Sequence, residues 1–530
     1  MRLEAQVIEG WPPLAWLATC SRGDGAVVLR HGPWVEVGEG FVCEAVWPEK
    51  FDDGGFDRQA VVAGTGVRLR DGEAVFVSST STVDRLHSVE RPEGPVVSNS
   101  LACLVSAIGA QARLDHGGYL REMSSITKGI DDYDRTIPTT SEQVRLTYFR
   151  NLVWDGSRLT ERDKPPEPEH LRDFAEYRDF VRSVLARLTE NMSSGARRHP
   201  LRWLGTLSSG YDSATATTLG TEVGCDQAIC FDRSRLNQPD SGEPIARALG
   251  IEPLVIERAT WRRRAARFDR TPEVPFLAAM PTGELAPFAA AREHLSGRVL
   301  LTGFQGGAMW RLWAEDPSPR IARKDSSGLG FAEFRLVAGF INCAPAFWTA
   351  LSVDRLAAIG RSEEMRPWVI GKRYQKPVAR RIVEDAGVPR DLFGRENQPG
   401  VGGSLTKEPE FLGPESLADY QPWIRREAAA MGARWLVTVA VLDLVGRAAA
   451  PAVGLLATVV RRVDGIARRP STHILRRRVE RVESAVRPLA GGAAIRMFVF
   501  QWGLARQAER YRAPAEAATR ARDSSRASSS

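Results

Sequence analysis

Four short apolar runs set the strongest limit on how this chain folds: LRWLGTL (201–207), QAICF (227–231), EPLVI (252–256) and GRVLLTGF (297–304). Each is of strand length and too short for a buried helix, and each ends at a turn-forming or polar residue. The stretches between them are long enough for the crossover that parallel strands require. SGEPIARALG (241–250) reads as one such helix, stopped at Gly250. Just upstream, Leu171, Phe174, Tyr177, Phe180, Val181, Val184, Leu185 and Leu188 recur at helical spacing, which predicts a helix over 170–192. The β–α–β alternation predicts an α/β fold, a parallel doubly wound sheet covered by helices on both faces.

A chain of 530 residues is too long for a single core. Residues 1 to about 110 alternate apolar and polar positions between Gly-containing turns, as in GAVVLRHGPWVEVGEGFV, and read as a β-rich N-terminal domain extending to about 140. TERDKPPEPEH (160–170) reads as a linker. The α/β domain is expected over 165–415, a helical basic region over 416–512 and a disordered tail over 513–530. Beyond about 330 the pattern reads as helical. The apolar stretch 437–460 is long enough to span a bilayer but contains Asp443, Arg447 and Pro451, so it reads as two buried helices.

The net charge of +7 is unevenly placed. Residues 461–530 hold 16 Arg against 6 acidic residues, which leaves the rest slightly acidic. The basic segment reads as a solvated helical face; peripheral membrane contact through it is the alternative, and no specific nucleic-acid partner is expected. Six cysteines without a CxxC pair, and without clustered His, suggest neither a zinc site nor a disulfide framework. Cys225 and Cys230 read as buried thiols. The first twenty residues carry no sustained apolar core and do not read as a signal peptide, so a reducing cytoplasm is the expected compartment.

The first strand runs into LSSGYDS (207–213). A strand entering a small-residue loop and then a helix leaves backbone N–H groups at the helix start, where the helix dipole favours an anion such as phosphate. Gly210 is expected to allow close backbone approach, and Ser208, Ser209 and Ser213 to add hydroxyl donors. Asp212 would repel bare phosphate, so it is expected to cap the helix or hold Mg²⁺. The loop is neither GxxxxGK[ST] nor GxGxxG. An ordinary strand-to-helix turn with a Ser/Asp cap is the alternative.

LSSGYDS resembles the pyrophosphate-binding loop, usually SGGxDS, of the asparagine synthetase-like ATP pyrophosphatases. Three further blocks resemble the same family in order and spacing. VLLTGFQGGAMW (299–310) is similar to its strand followed by LSGxGxDE. AEFR (332–335) is similar to its ExR element, and YQKPVARRIVEDAGVPRDLFGRENQPG (374–400) to its Lys-x3-Arg, VP and R-x-K segment. The resemblance covers roughly residues 140–400. It implies an ATP-dependent, AMP-forming ligase that activates a carboxylate and forms an amide. ATP and Mg²⁺ are the implied cofactors; the partners would be a small-molecule or peptide carboxylate substrate and pathway proteins. By position it assigns Ser208, Ser209, Gly210, Asp212 and Ser213 to the pyrophosphate, Leu207, Phe231, Thr302 and Gly303 to the border of the adenosine, and Lys376 to the phosphates. Lys376 and Asp212 would be the catalytic residues and Asp212 the metal ligand.

Three departures limit what the resemblance carries. Position 2 is Arg where glutamine-dependent members need Cys, so the N-terminal domain is expected to be a scaffold or substrate-recognition part without glutamine hydrolysis. Gly307 and Ala308 replace the acidic pair, with Glu315, Asp316 and Glu333 as the spatial substitutes to look for. Ser209 replaces a glycine, at a position where positive φ would be strained. The competing expectation is a catalytically degenerate nucleotide-binding or scaffold protein on the same fold.

Overall fold

The computed structural model describes residues 1–432 apart from 24, 167–170, 235–236, 313–319, 324, 372–374, 395–402 and 409, together with 437, 458–460 and 498–512. It is a mixed α/β chain whose N-terminal region is β-rich and whose following region is built on a parallel sheet.

The N-terminal region forms one seven-stranded and one six-stranded sheet. Both run past residue 140: Gln143–Thr147 joins the first, and Asn151–Trp154 and Leu159–Arg162 join the second. Pairing is antiparallel except where Arg2–Val7 lies parallel to Ala26–His31. The alternation read in the sequence turns Trp16, Val27, Leu29 and Val97 of one sheet and Val42, Val67, Phe76, Leu152 and Trp154 of the other into one shared core. Trp16 places its indole N–H on Thr65 Oγ1 at 2.9 Å, which satisfies the one polar atom that so large a side chain buries.

The predicted long helix is α1, Phe174–Met192, started by Asp173, whose side chain accepts from the Glu176 N–H. The four apolar runs become β1 (Arg202–Leu207), β2 (Gln227–Phe231), β3 (Glu252–Ile256) and β4 (Arg298–Leu301). Helix α2, Tyr211–Thr221, follows β1 directly. It packs close because Gly205 has no side chain: a Cβ there would lie 2.5 Å from Thr217 Cγ2. The Thr217 hydroxyl accepts from Thr206 N–H at 3.1 Å and donates to Thr206 O at 2.8 Å, tying helix to strand.

The expectation of a purely helical pattern beyond 330 is corrected by a fifth strand, β5 (Phe340–Cys343). Helix α3, Phe331–Ala338, ends at Gly339 with φ 77°, and the chain turns straight into β5. The order is β3-β2-β1-β4-β5 with every neighbour parallel. Connections therefore run outward in one direction from β1 and in the other from β4. The ends of β1 and β4 thus diverge at the centre of the sheet, the position where open parallel sheets leave a crevice.

Among the described residues no helix is long and apolar enough to cross a membrane. Most of the stretch 437–460, the basic run 461–497 and the tail 513–530 lie outside the described residues.

Candidate functional site

The loop predicted to carry the chemistry sits at that central divergence. Gly210 caps α2 with φ −79° and ψ 171°, extended backbone, and has no side chain to satisfy the N–H groups of the first helical turn. A Cβ at Gly210 would meet only Ser208 Oγ, at 3.4 Å. Close protein packing is therefore not what Gly210 serves. Its missing side chain leaves room on the open side of the loop.

The hydroxyls are organised within the loop. Ser208 N–H donates to Ser213 Oγ at 3.1 Å, the two hydroxyls are 2.9 Å apart, and Gly210 N–H donates to Ser208 Oγ at 3.3 Å. Ser209 is buried, and both its N–H and its Oγ donate to Asp240 Oδ1, at 3.1 and 2.6 Å. Ser209 is absent from the positive-φ residues, so the strain expected from replacing glycine does not arise. Asp240 comes from the segment after β2, which crosses the loop through a Ser208–Ser241 bridge. Sequence reasoning missed it: nothing local marks an Asp that caps a loop thirty-one residues earlier.

Asp212, 28% exposed in its side chain, accepts an ion pair from Lys376, whose side chain is fully buried. Lys376 is the cap residue of α4, Pro377–Asp385. Helix α4 rests on α2, with the Thr215 hydroxyl reaching Ala379 O at 3.5 Å, and its Val378, Ala379, Ile382 and Val383 are buried. Arg380, one turn after Lys376, donates to the Tyr211 hydroxyl and lies 5.1 Å from that ring. The Lys-x3-Arg spacing thus delivers both cations to consecutive residues of the loop. Tyr211 is buried against Phe393 and Gly394 and packs inward. The R-x-K end of that block, 395–400, lies outside the described residues.

The end of β4 closes the other side. Thr302 N–H donates to Cys343 O and its hydroxyl to Asn342 Oδ1, both at 2.9 Å. Gly303 lies against the start of α2: a Cβ there would sit 2.3 Å from Asp212 C and 2.5 Å from Ser213 N. At Gly306 it would come within 2.8 Å of Asp212 Oδ1, and at Gly307 it would lie 3.9 Å from Oδ2. Gln305 holds φ 69°, a conformation that glycine adopts without penalty. Leu207 ends β1 with its side chain buried under Gly242. Phe231 ends β2, but its ring packs on Phe288 at 5.1 Å, so only its backbone can border a ligand.

Of the expected acidic substitutes, Glu315 and Asp316 lie outside the described residues. Glu333 is corrected: it is buried, and its carboxylate accepts from Ser100 Oγ at 2.8 Å and Ala102 N–H at 3.2 Å, where it meets the N-terminal region. Its burial raises its pKa. Arg335 is buried beside it and donates to Glu44 at 2.7 and 3.0 Å and to Asp84 at 2.6 Å. The block resembling ExR therefore joins the two regions. All six cysteines are free and buried.

As to Mg²⁺, no group of three His, Cys, Asp or Glu positioned to hold a metal is present among the described residues. The donor set at Asp212, one partly exposed carboxylate beside an open loop, fits the way Mg²⁺ is commonly held, by one or two carboxylates together with substrate phosphates. No protein-family model matches the chain, and no curated protein matches it.

Proposed function

We propose that this chain is an ATP-dependent ligase of asparagine synthetase-like type, which adenylates a carboxylate and joins it to an amine without hydrolysing glutamine, and that its parallel sheet is of the doubly wound ATP-pyrophosphatase kind. The observation that carries this reading is the convergence of Lys376 and Asp212 on the loop between β1 and α2. A buried ammonium held at a helix start is suited to charge that develops on parting phosphates. The first-turn N–H groups of α2 would hold the pyrophosphate end, and Asp212 would hold Mg²⁺. Bound there, the metal would neutralise phosphate charge. The backbone ends of β1, β2 and β4 at Leu207, Phe231, Thr302 and Gly303 would border the adenosine.

Lys376 on this reading serves two states. It pairs with Asp212 before nucleotide binds and turns to the phosphates afterwards, so its charge never stands unpaired in a buried position. Release of pyrophosphate from Mg-ATP, measured with a panel of carboxylates and amines, tests the proposal. Absence of release, with Asp212→Ala leaving cellular activity unchanged, removes it.

A second reading has its own support. Ser209 N–H is already taken by Asp240, and Gly307 and Ala308 supply no carboxylate beside Asp212. Both favour a protein that binds nucleotide without turning it over. Any turnover that depends on Lys376 excludes that reading.

A further inference from the structure

Arginines crowd one short stretch after β3. IERATWRRRAARFDR (256–270) carries six of them against two acidic residues. The structure sorts the six by what they touch. Arg258, Arg262 and Arg264 reach Glu408, Glu273 and Glu293 at 2.5, 3.0 and 2.9 Å, so carboxylates neutralise them. Arg263, Arg267 and Arg270 are exposed, and among the described residues no carboxylate pairs with them.

Local geometry gathers the free charges. Trp261 and Ala265 are the buried face of the short helix Trp261–Ala265. Asp269 N–H donates to Ala265 O at 3.1 Å, so the helical turn continues to Asp269. Arg263 and Arg267 therefore stand one turn apart on the outward side. Phe268, the next residue, is 41% exposed. Arg292 lies 5.9 Å from its ring and donates to Phe268 O at 3.3 Å and to Val337 O at 3.5 Å. These acceptors are carbonyls, so Arg292 adds its charge to the same place; Asp269, which attracts it, is paired with Arg510. Arg270 lines an adjoining open groove of about 460 Å³. In that groove Arg506 holds Asp419 and Glu509, and Glu415 is the remaining acidic group.

We propose that Arg263, Arg267, Arg270 and Arg292, with Phe268 among them, form a docking surface for the headgroup layer of an anionic lipid bilayer. Four cations on one local face reach the size of basic cluster that acidic bilayers hold. Phe268 adds what charge alone does not. Its ring leaves water at headgroup depth while the guanidiniums around it stay with the phosphates. A nucleic acid fits this surface less well: it is held through a row of phosphate contacts, whereas the patch is compact and flanked by Glu415 and Glu293. Outside residues 461–530 the chain is slightly acidic, so an acidic bilayer is repelled elsewhere on it and the patch sets the orientation of docking.

Flotation of the full chain tests this, with vesicles of equal parts phosphatidylglycerol and phosphatidylcholine set against phosphatidylcholine alone. The wild type is expected to float with the acidic vesicles only, and less as salt rises. The double variant Arg263→Gln/Arg267→Gln should lower that partitioning about 25-fold, about fivefold for each arginine. Phe268→Ser should lower it about fivefold, and Phe268→Trp should keep it. Unchanged urea midpoints are expected, because the substituted side chains are exposed. No flotation of the wild type with acidic vesicles, or equal flotation with neutral ones, overturns the proposal. Undiminished flotation of the double variant also overturns it, by assigning the lipid contact to another basic part of the chain. So does a duplex or single-stranded oligonucleotide that binds through the same arginines more tightly than the vesicles do, in favour of nucleic acid.

Discussion

Lys376 and Asp212 stand 164 residues apart in the chain and meet as an ion pair at the head of α2. The pair exists because two helices pack: α2 presents Thr215 to α4, and the cap residue of α4 then falls beside the first turn of α2. One partner is fully enclosed and the other is 28% exposed. The arrangement therefore gives a buried lysine side chain a counter-ion while leaving part of the carboxylate exposed.

On the proposed ligase function, replacing that ammonium separates catalysis from stability. Lys376→Met is then expected to lower pyrophosphate release by about 100-fold or more, the scale on which one preorganised electrostatic group acts. Its cost in folding is about 1–2 kcal/mol, between exposed and fully buried pairs, because Asp212 regains water on losing its partner. A pyrophosphate assay beside urea denaturation reads both. Unchanged release in a folded variant would exclude Lys376 from the chemistry.

Two glycines of the site are expected to respond in opposite ways. Gly303→Ala drives a Cβ into the backbone of Asp212 and Ser213, so the variant loses about 3 kcal/mol or displaces the loop. Gly210→Ala meets only Ser208 Oγ at 3.4 Å in an ordinary extended conformation, and costs less than about 1 kcal/mol. It nevertheless fills the open side of the loop, and the affinity for a fluorescent ATP analogue should fall at least tenfold. Full affinity in Gly210→Ala would show that no phosphate approaches there.

The sequence made β1 to β4 and α2 legible because each apolar run is bounded by a turn and is too short for any other buried element. It hid β5, since FRLVAGFINCAPAFW is apolar apart from Arg335 and Asn342 and only Gly339 at positive φ separates helix from strand. The site was legible wherever it depended on spacing, as with Lys376 and Arg380 one turn apart. It was not legible where a distant loop supplies the partner, as Asp240 does for Ser209. Phe231 was placed at the right strand end, but its ring direction depends on Phe288, which no local pattern reveals. Glu333 reads the same in sequence whether it faces a substrate or, as here, Ser100.

Arg335 joins the two regions through Glu44 and Asp84, and all three side chains are almost wholly enclosed. Burial alone would depress the guanidinium, but the two carboxylates hold its pKa up, so it stays charged. Removing it strands two carboxylates in the interior. Arg335→Met is expected to cost about 3–5 kcal/mol, visible as a lowered urea midpoint. A loss below 1 kcal/mol would mean that the seam is hydrated and that the network does not join the regions.

Glu284 makes a pH-dependent prediction that needs no ligand. Its carboxyl is raised from an ordinary value of 4.5 to about 7 by burial, against the attraction of Arg323. Below pH 4.5 the group is protonated both folded and unfolded and costs nothing. Between pH 4.5 and 7 the unfolded chain releases the proton while the folded chain retains it, so stability falls as pH rises, and above 7 the loss is complete. Glu284→Gln cannot ionise and escapes that penalty. The stability of the variant relative to wild type should therefore grow by about 3 kcal/mol between pH 4.5 and pH 8, as a shift of 2.5 pH units requires. Urea melts of both proteins at half-unit pH steps give the difference curve. A flat curve would mean that the carboxyl is solvated, with its second oxygen already satisfied by water.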